Sequence, residues 1–131
     1  MAVLFPDVEK TVVTFINAQL VGSTYAGTRV ATKKNLPDET APSRQIVVTV
    51  SYSEELNFVL KSANLTLEVF ADDYSTASGL ALWLESKIRL LAGDPVKQVT
   101  VRLGPVRGAD DTRQEVRMID VELLVKGTTV S

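Results

Sequence analysis

The segment Ala63–Gly93 reads ANLTLEVFADDYSTASGLALWLESKIRLLAG. Its first part alternates. Leu65, Leu67, Val69 and Ala71 fall on one side, with Asn64, Thr66, Glu68 and Phe70 on the other, the period of a strand with a drier and a wetter face. Asp72 and Asp73 then supply carboxylates where the first amides of a helix lack partners and the helix dipole favours negative charge. Ala77, Leu80, Ala81, Leu84, Ile88 and Leu91 follow at three- and four-residue steps, and Gly93 stands where a left-handed cap would end the helix. A strand feeding a helix of about five turns requires a sheet on which that helix can bury its stripe.

Upstream, Phe5-Pro6-Asp7 opens a first helix with Asp7 as its N-cap; Val8, Val12, Phe15, Ile16 and Leu20 form its stripe and Gly22 its end. The β-branched run Thr11–Thr14 gives helix and strand each a claim here, so packing must stabilise the helix where propensity does not. Thr28–Lys34 is a short strand whose terminal Lys33 and Lys34 suit a sheet edge. Asn35–Gln45, with its two prolines, is a loop, and Ile46–Tyr52 alternates as a strand. Ser53–Ser62 reads as a ten-residue connection. It carries Leu56, Phe58, Val59 and Leu60, apolar side chains that must fold over the sheet or meet a partner.

Downstream, Lys97–Leu103 points Val99, Val101 and Leu103 inward. The interval from Ala71 to Lys97 accommodates a crossover, which makes this strand parallel to the Ala63 strand and adjacent to it or one place away. Gly104–Gln114 is a polar loop. Glu115–Lys126 is a strand whose inward set changes phase between Met118 and Ile119, which predicts a bulge. The tail Gly127–Ser131 is expected to fray. The expected product is a single α+β domain over residues 1–131, of element order α-β-β-β-α-β-β, with a mixed, roughly five-stranded sheet packed against two helices.

The 131 residues include no cysteine and no histidine. Their lack removes disulfides, thiolate chemistry, the Ser-His-Asp and Cys-His schemes and histidine-bound zinc. Fourteen basic residues against sixteen acidic ones leave a net charge of −2, without the positive excess that phosphate-backbone binding needs. The N-terminal stretch has no basic n-region, and no apolar run is long enough to span a bilayer, so a cytoplasmic protein without membrane contact is expected.

Asp72-Asp73 and Asp110-Asp111 have oxygens that a divalent cation could use, but a helix start and a turn account for them as caps and turn formers. Gly104–Gly108 lacks both the Lys-Ser/Thr pair and the following helix of a phosphate loop. Arg102, Arg107, Arg113 and Arg117 flank one loop, either as a cationic patch or as solvated strand edges. Trp83, off the stripe of the second helix, serves either to broaden the core or to anchor an interface. No catalytic group, cofactor site or metal site is expected from the residues.

The assembled string carries a resemblance. Leu4-Phe5-Pro6-Asp7-Val8-Glu9 precedes a short helix, and a strand then runs into the proline-containing stretch Lys33–Pro37. Next, IVVTVSY (Ile46–Tyr52) precedes LTLEVFADDYSTASGLALWL (Leu65–Leu84), and the last strand ends in VELLVKGTTV (Val121–Val130). In element order, length and pattern, over nearly the whole chain, this resembles the tail terminator (tail-completion) proteins of long-tailed, siphovirus-type bacteriophages. It departs from them in Ser53-Glu54-Glu55, where the family commonly has Gly-Gly or an arginine-rich stretch, and in a less proline-rich Asn35–Gln45 loop.

The resemblance implies a structural virion protein with no enzyme activity and no cofactor. It would form a hexameric ring on the tail tube protein, stop tube polymerisation and join the tail to the head-side connector or stopper protein. Its place would be the virion neck, after assembly in the host cytoplasm, with genome DNA passing through the lumen without specific binding. On this reading the interface residues are Lys33, Lys34 and Arg44 around the first long loop, Glu54, Glu55, Leu56 and Phe58 in the second, and Trp83, Arg107 and Arg113. Three other readings compete. One is another phage neck component, a head-closure or connector-completion protein, which shares the size and α+β character. The second, from a different class, is a small cytoplasmic ligand-binding or enzymatic domain, against which the missing histidine and cysteine count. The third is a plain bacterial adaptor domain.

Overall fold

The computed structural model of the chain describes residues 2–33, 42–55, 59–108 and 114–130, with the backbone alone for 53–55 and 129–130. In chain order the elements are β1 (Ala2–Leu4), α1 (Val8–Leu20), β2 (Arg29–Ala31), β3 (Arg44–Glu55), β4 (Leu60–Ala71), α2 (Tyr74–Ile88), a 3-10 turn (Arg89–Leu91), β5 (Val96–Arg107), β6 (Glu115–Lys126) and β7 (Thr128–Val130). Five strands form one sheet in the order β2-β3-β4-β6-β5, and β1 and β7 pair separately as a two-stranded ribbon. Within the large sheet β2 is parallel to β3 and every other neighbour is antiparallel. The sheet is therefore mixed and the fold α+β. Strands β4 and β5 are parallel with β6 between them, as the crossover interval predicts.

Both helices lie on one face, α1 over β2 and β3, α2 over β4, β6 and β5. The core between sheet and helices contains Ile46 and Val48 of β3, Leu65, Leu67 and Val69 of β4, and Ile119, Val121, Leu123 and Val125 of β6. From the helices come Val8, Val12, Ile16 and Leu20, and Leu80, Ala81, Leu84 and Ile88. The same burial decides the ambiguous Thr11–Thr14 run. Each large apolar side chain of the α1 stripe gains about 1.5–3 kcal/mol on burial, against a few tenths lost to each β-branched residue. Asp7 and Asp73 cap the two helices, accepting the amides of Lys10 at 3.1 Å and Thr76 at 2.8 Å.

Several boundaries differ from the sequence reading, and each difference has a local cause. The three-residue β2 is shorter than the expected Thr28–Lys34 strand, although it does form a sheet edge. Strand β3 continues to Glu55 and β4 begins at Leu60, so the ten-residue connection Ser53–Ser62 is mostly ladder: Glu54 pairs with Ser62 and Glu55 with Lys61. Gly93 does not cap α2; the helix tightens into the 3-10 turn at Arg89. Gly93, with φ +151°, donates its amide to the Val96 carbonyl at 2.7 Å and turns the chain into β5. The tail is tied down, because β7 pairs residue for residue with β1.

The largest correction concerns β6. It pairs with β4 from Leu60↔Lys126 to Ala71↔Glu115 without a shift. The apparent change of phase arises because the sheet has apolar residues on both faces at one end. Val116 belongs with Val47 and Phe70 in a second buried cluster on the helix-free face, with Met118 packed against it. Phe70, expected on the wetter face, is thus 3% exposed. The irregularities lie in β5, where register shifts fall between Val96 and Gln98, Val101 and Leu103, and Leu103 and Val106. They turn Leu103 out of the expected inward row, to 42% exposure.

Leu84 and Leu82 stand two positions apart on α2, on different faces, and are 0% and 59% exposed. Leu84→Ala is expected to cost about 2–5 kcal/mol in urea unfolding and Leu82→Ala no more than about 0.5 kcal/mol. Equal losses would contradict the placement of the helix on the sheet.

Candidate interface surfaces

The Asp72-Asp73 pair is engaged at the start of α2. Asp73 Oδ1 accepts the Thr76 amide and Asp73 Oδ2 accepts the Thr76 hydroxyl at 3.0 Å, while Asp72 Oδ1 accepts Gln114 Nε2 at 3.1 Å. The Asp73 carboxyl is held below its ordinary value of 3.8, first by the Thr76 amide and then by the Thr76 hydroxyl. Asp94 is also lowered, by the hydrogen bond and then the charge of Lys97. Among the described residues no group of three or more acidic, histidine or cysteine side chains is placed to hold a metal. Asp110-Asp111 lies outside the described residues.

The expected interface residues separate into distinct places. Arg44 and Trp83 come together through Tyr25. The Tyr25 and Trp83 rings are 5.8 Å apart, and the Arg44 guanidinium lies 5.9 Å from the Tyr25 ring centre and donates to the Ala26 carbonyl at 2.7 Å. Trp83 is partly buried and packs against the core. Gly79 makes this approach possible, because a Cβ there would meet the Tyr25 hydroxyl. Tyr25 was missed in the sequence; its only signal was an aromatic side chain within the glycine-bounded turn Gly22–Gly27.

Arg107 belongs to a second cluster at the far end of β5. It donates to both Glu115 oxygens, at 3.0 and 3.1 Å, and its guanidinium sits 5.8 Å from the Tyr74 ring centre. Arg117, only 5% exposed, lies 4.9 Å from the same ring, donates to the Val116 carbonyl at 2.9 Å and stands 3.5 Å from Glu115. Arg102 pairs with Glu122 at 2.8 Å. The described arginines of the presumed patch are therefore bound by carboxylates of the same chain, and Arg117 is buried where a solvated edge was one expectation. Lys33 is exposed just past β2, its carbonyl accepting from Arg29 at 3.3 Å. Glu54 and Glu55 end β3, with their side chains outside the described residues. Lys34, Leu56, Phe58 and Arg113 also lie outside.

The register leaves Thr49, Ser51, Asn64, Thr66, Glu68, Asp120 and Glu122 on the helix-free face. Thr66 donates to Asp120 Oδ1 across the strands at 3.0 Å. Among the described residues no helix covers these rows. The exposed large apolar side chains include Leu4 on β1, Val21 at the end of α1, Tyr52 on β3, Tyr74 and Leu82 on α2, Leu90 in the 3-10 turn, and Leu103 and Val106 on β5.

Comparison with models of known protein families gave no match, nor did comparison with curated proteins. Among the described residues no helix is long and apolar enough to cross a membrane.

The lowered carboxyl of Asp73 sets a pH dependence. A group with a depressed folded pKa contributes stability that is complete above its unfolded value and is lost as pH falls through the folded one. The stability gap between the wild type and Asp73→Ala is therefore expected at neutral pH and should close as pH falls below 3.8. A gap that stays constant in denaturant titrations down to acid unfolding would contradict the capping role.

Proposed function

We propose that this chain is a phage tail terminator, a structural protein that rings the end of the tail tube, stops its growth and presents a surface to the head-side connector. The observation that carries the proposal is the sheet, which among the described residues is covered by helices on one face and ended by two unlike edges, the twelve-residue β5 and the three-residue β2. Unlike edges favour head-to-tail contacts, which close into rings when the rotation allows. A lumen that passes DNA must not offer it unpaired cations. The central rows of the helix-free face suit such a wall, since Glu68, Asp120 and Glu122 lie there with Arg102, which Glu122 neutralises. The likeness in element order to tail terminators adds the particular place in the virion.

The test is to add the purified chain to growing tail tubes built from the tube protein of the same phage. The expected result is six copies bound at one tube end and arrested elongation. Tubes that lengthen unchanged, with the chain unbound, would overturn the proposal; binding only to head-side connectors would assign it to another neck component.

A further inference from the structure

We propose that copies of this chain join edge to edge, with strand β5 and Leu82 of one copy meeting strand β2 and the cleft beside Val21 of the next. The inference rests on the ring reading above and names the surface through which ring subunits touch.

Strand directions permit the contact. Because β2 is parallel to β3, and β3-β4, β4-β6 and β6-β5 are each antiparallel, β2 runs opposite to β5. A copy added through its β2 beside β5 therefore extends the sheet as an antiparallel pair, with the helices of both copies on the same face.

The chemistry of β5 favours it. Charged side chains and bulges commonly guard a free edge against pairing. The three bulges of β5 leave Gln98–Val101 as its unshifted run, which is long enough for the three residues of β2. Here Lys97 is bound to Asp94 at 2.8 Å, Arg102 to Glu122 at 2.8 Å and Arg107 to Glu115 at 3.0 Å. The guarding charge is cancelled within the chain, and Leu103 and Val106 remain exposed beside it at 42% and 38%.

The helix layer supplies a matching pair of features. A Cβ at Gly104 of β5 would stand 3.2 Å from Glu85 Oε2, which places that flank of α2 above β5. Leu82, one turn earlier on the same flank, is 59% exposed. On the opposite side of the molecule, Asn17, Leu20, Val21, Ala26 and Thr28 line a cleft of about 530 Å³ at the approach to β2, with Val21 81% exposed. An uncovered leucine on one flank and an apolar cleft on the other are the two halves of a heterologous contact. Pairing β5 with β5 of another copy would leave the cleft unfilled.

The experiment uses Leu82→Asp and Val21→Asp in the full chain, with Leu82→Gln and Val21→Thr as milder versions and unfolding curves to check that each folds. Sedimentation equilibrium, on the chain alone and with tail tubes, reads the association. Each aspartate variant alone is expected to associate at least about tenfold more weakly than wild type. An equimolar mixture of the two should form dimers and nothing larger, because the Val21→Asp copy keeps its leucine and the Leu82→Asp copy keeps its cleft. Variants that associate like wild type, or a mixture no more associated than its components, would overturn the surface. If wild type still rings the tubes in that case, the ring reading survives. If wild type neither self-associates nor adds to tubes, both fall.

Discussion

The register of β4 against β6 is the constraint on which the rest depends. Twelve consecutive pairs, from Leu60↔Lys126 to Ala71↔Glu115, face each other without a shift. Since side chains alternate with a period of two, this one alignment decides which face receives the helices. Leu65, Leu67 and Val69 share a side with Ile119, Val121 and Leu123, and α2 has a continuous apolar floor. A slip of one residue would bring Glu68 or Glu122 under the helices and send leucines to water, at about 1.5–3 kcal/mol for each large side chain exposed. Both helices and the caps that start them follow from that choice.

A floor so regular in the middle contrasts with the margin. Strand β5 departs from the ladder at three places, and its cations are each held by a carboxylate from the same chain. The bulges re-aim Leu103 and leave Gly104 close to Glu85 on α2. At the other margin β2 has only three residues, and the turn before it is held by Tyr25 against Trp83 and Gly79. The interior thus specifies one subunit shape, while the margins are finished in two different ways. That asymmetry connects the fold to the proposed role in an assembly.

Much of the architecture was legible because it rests on local periodicity. The three- and four-residue spacing of Leu80, Leu84 and Ile88, the alternation of Ile46, Val48 and Val50, and the carboxylates at both helix starts each state their structure within a few residues. What escaped depended on partners distant in sequence. Val116 and Met118 looked like a bulge because Phe70 and Val47, which cluster with Val116 on the second face, lie far away in the chain. The β1–β7 ribbon joins the two ends of the described chain, and no pattern within three residues announces it. The same limit applies to the candidate surfaces: the arginines near the last loop left a cationic patch and solvated strand edges both open until the fold set Glu115 and Glu122 beside them. Trp83 was visible as an oddity, but its partner Tyr25 was not.

Residue-resolved hydrogen exchange of the native chain tests the central register most directly. Amides of β4 and β6 in the Leu65–Val69 and Arg117–Val121 rows should exchange only through global unfolding, and be slower than those of β2 and of the β1–β7 ribbon. Exchange in β4 as fast as in β2 would contradict a sheet built around that pair of strands.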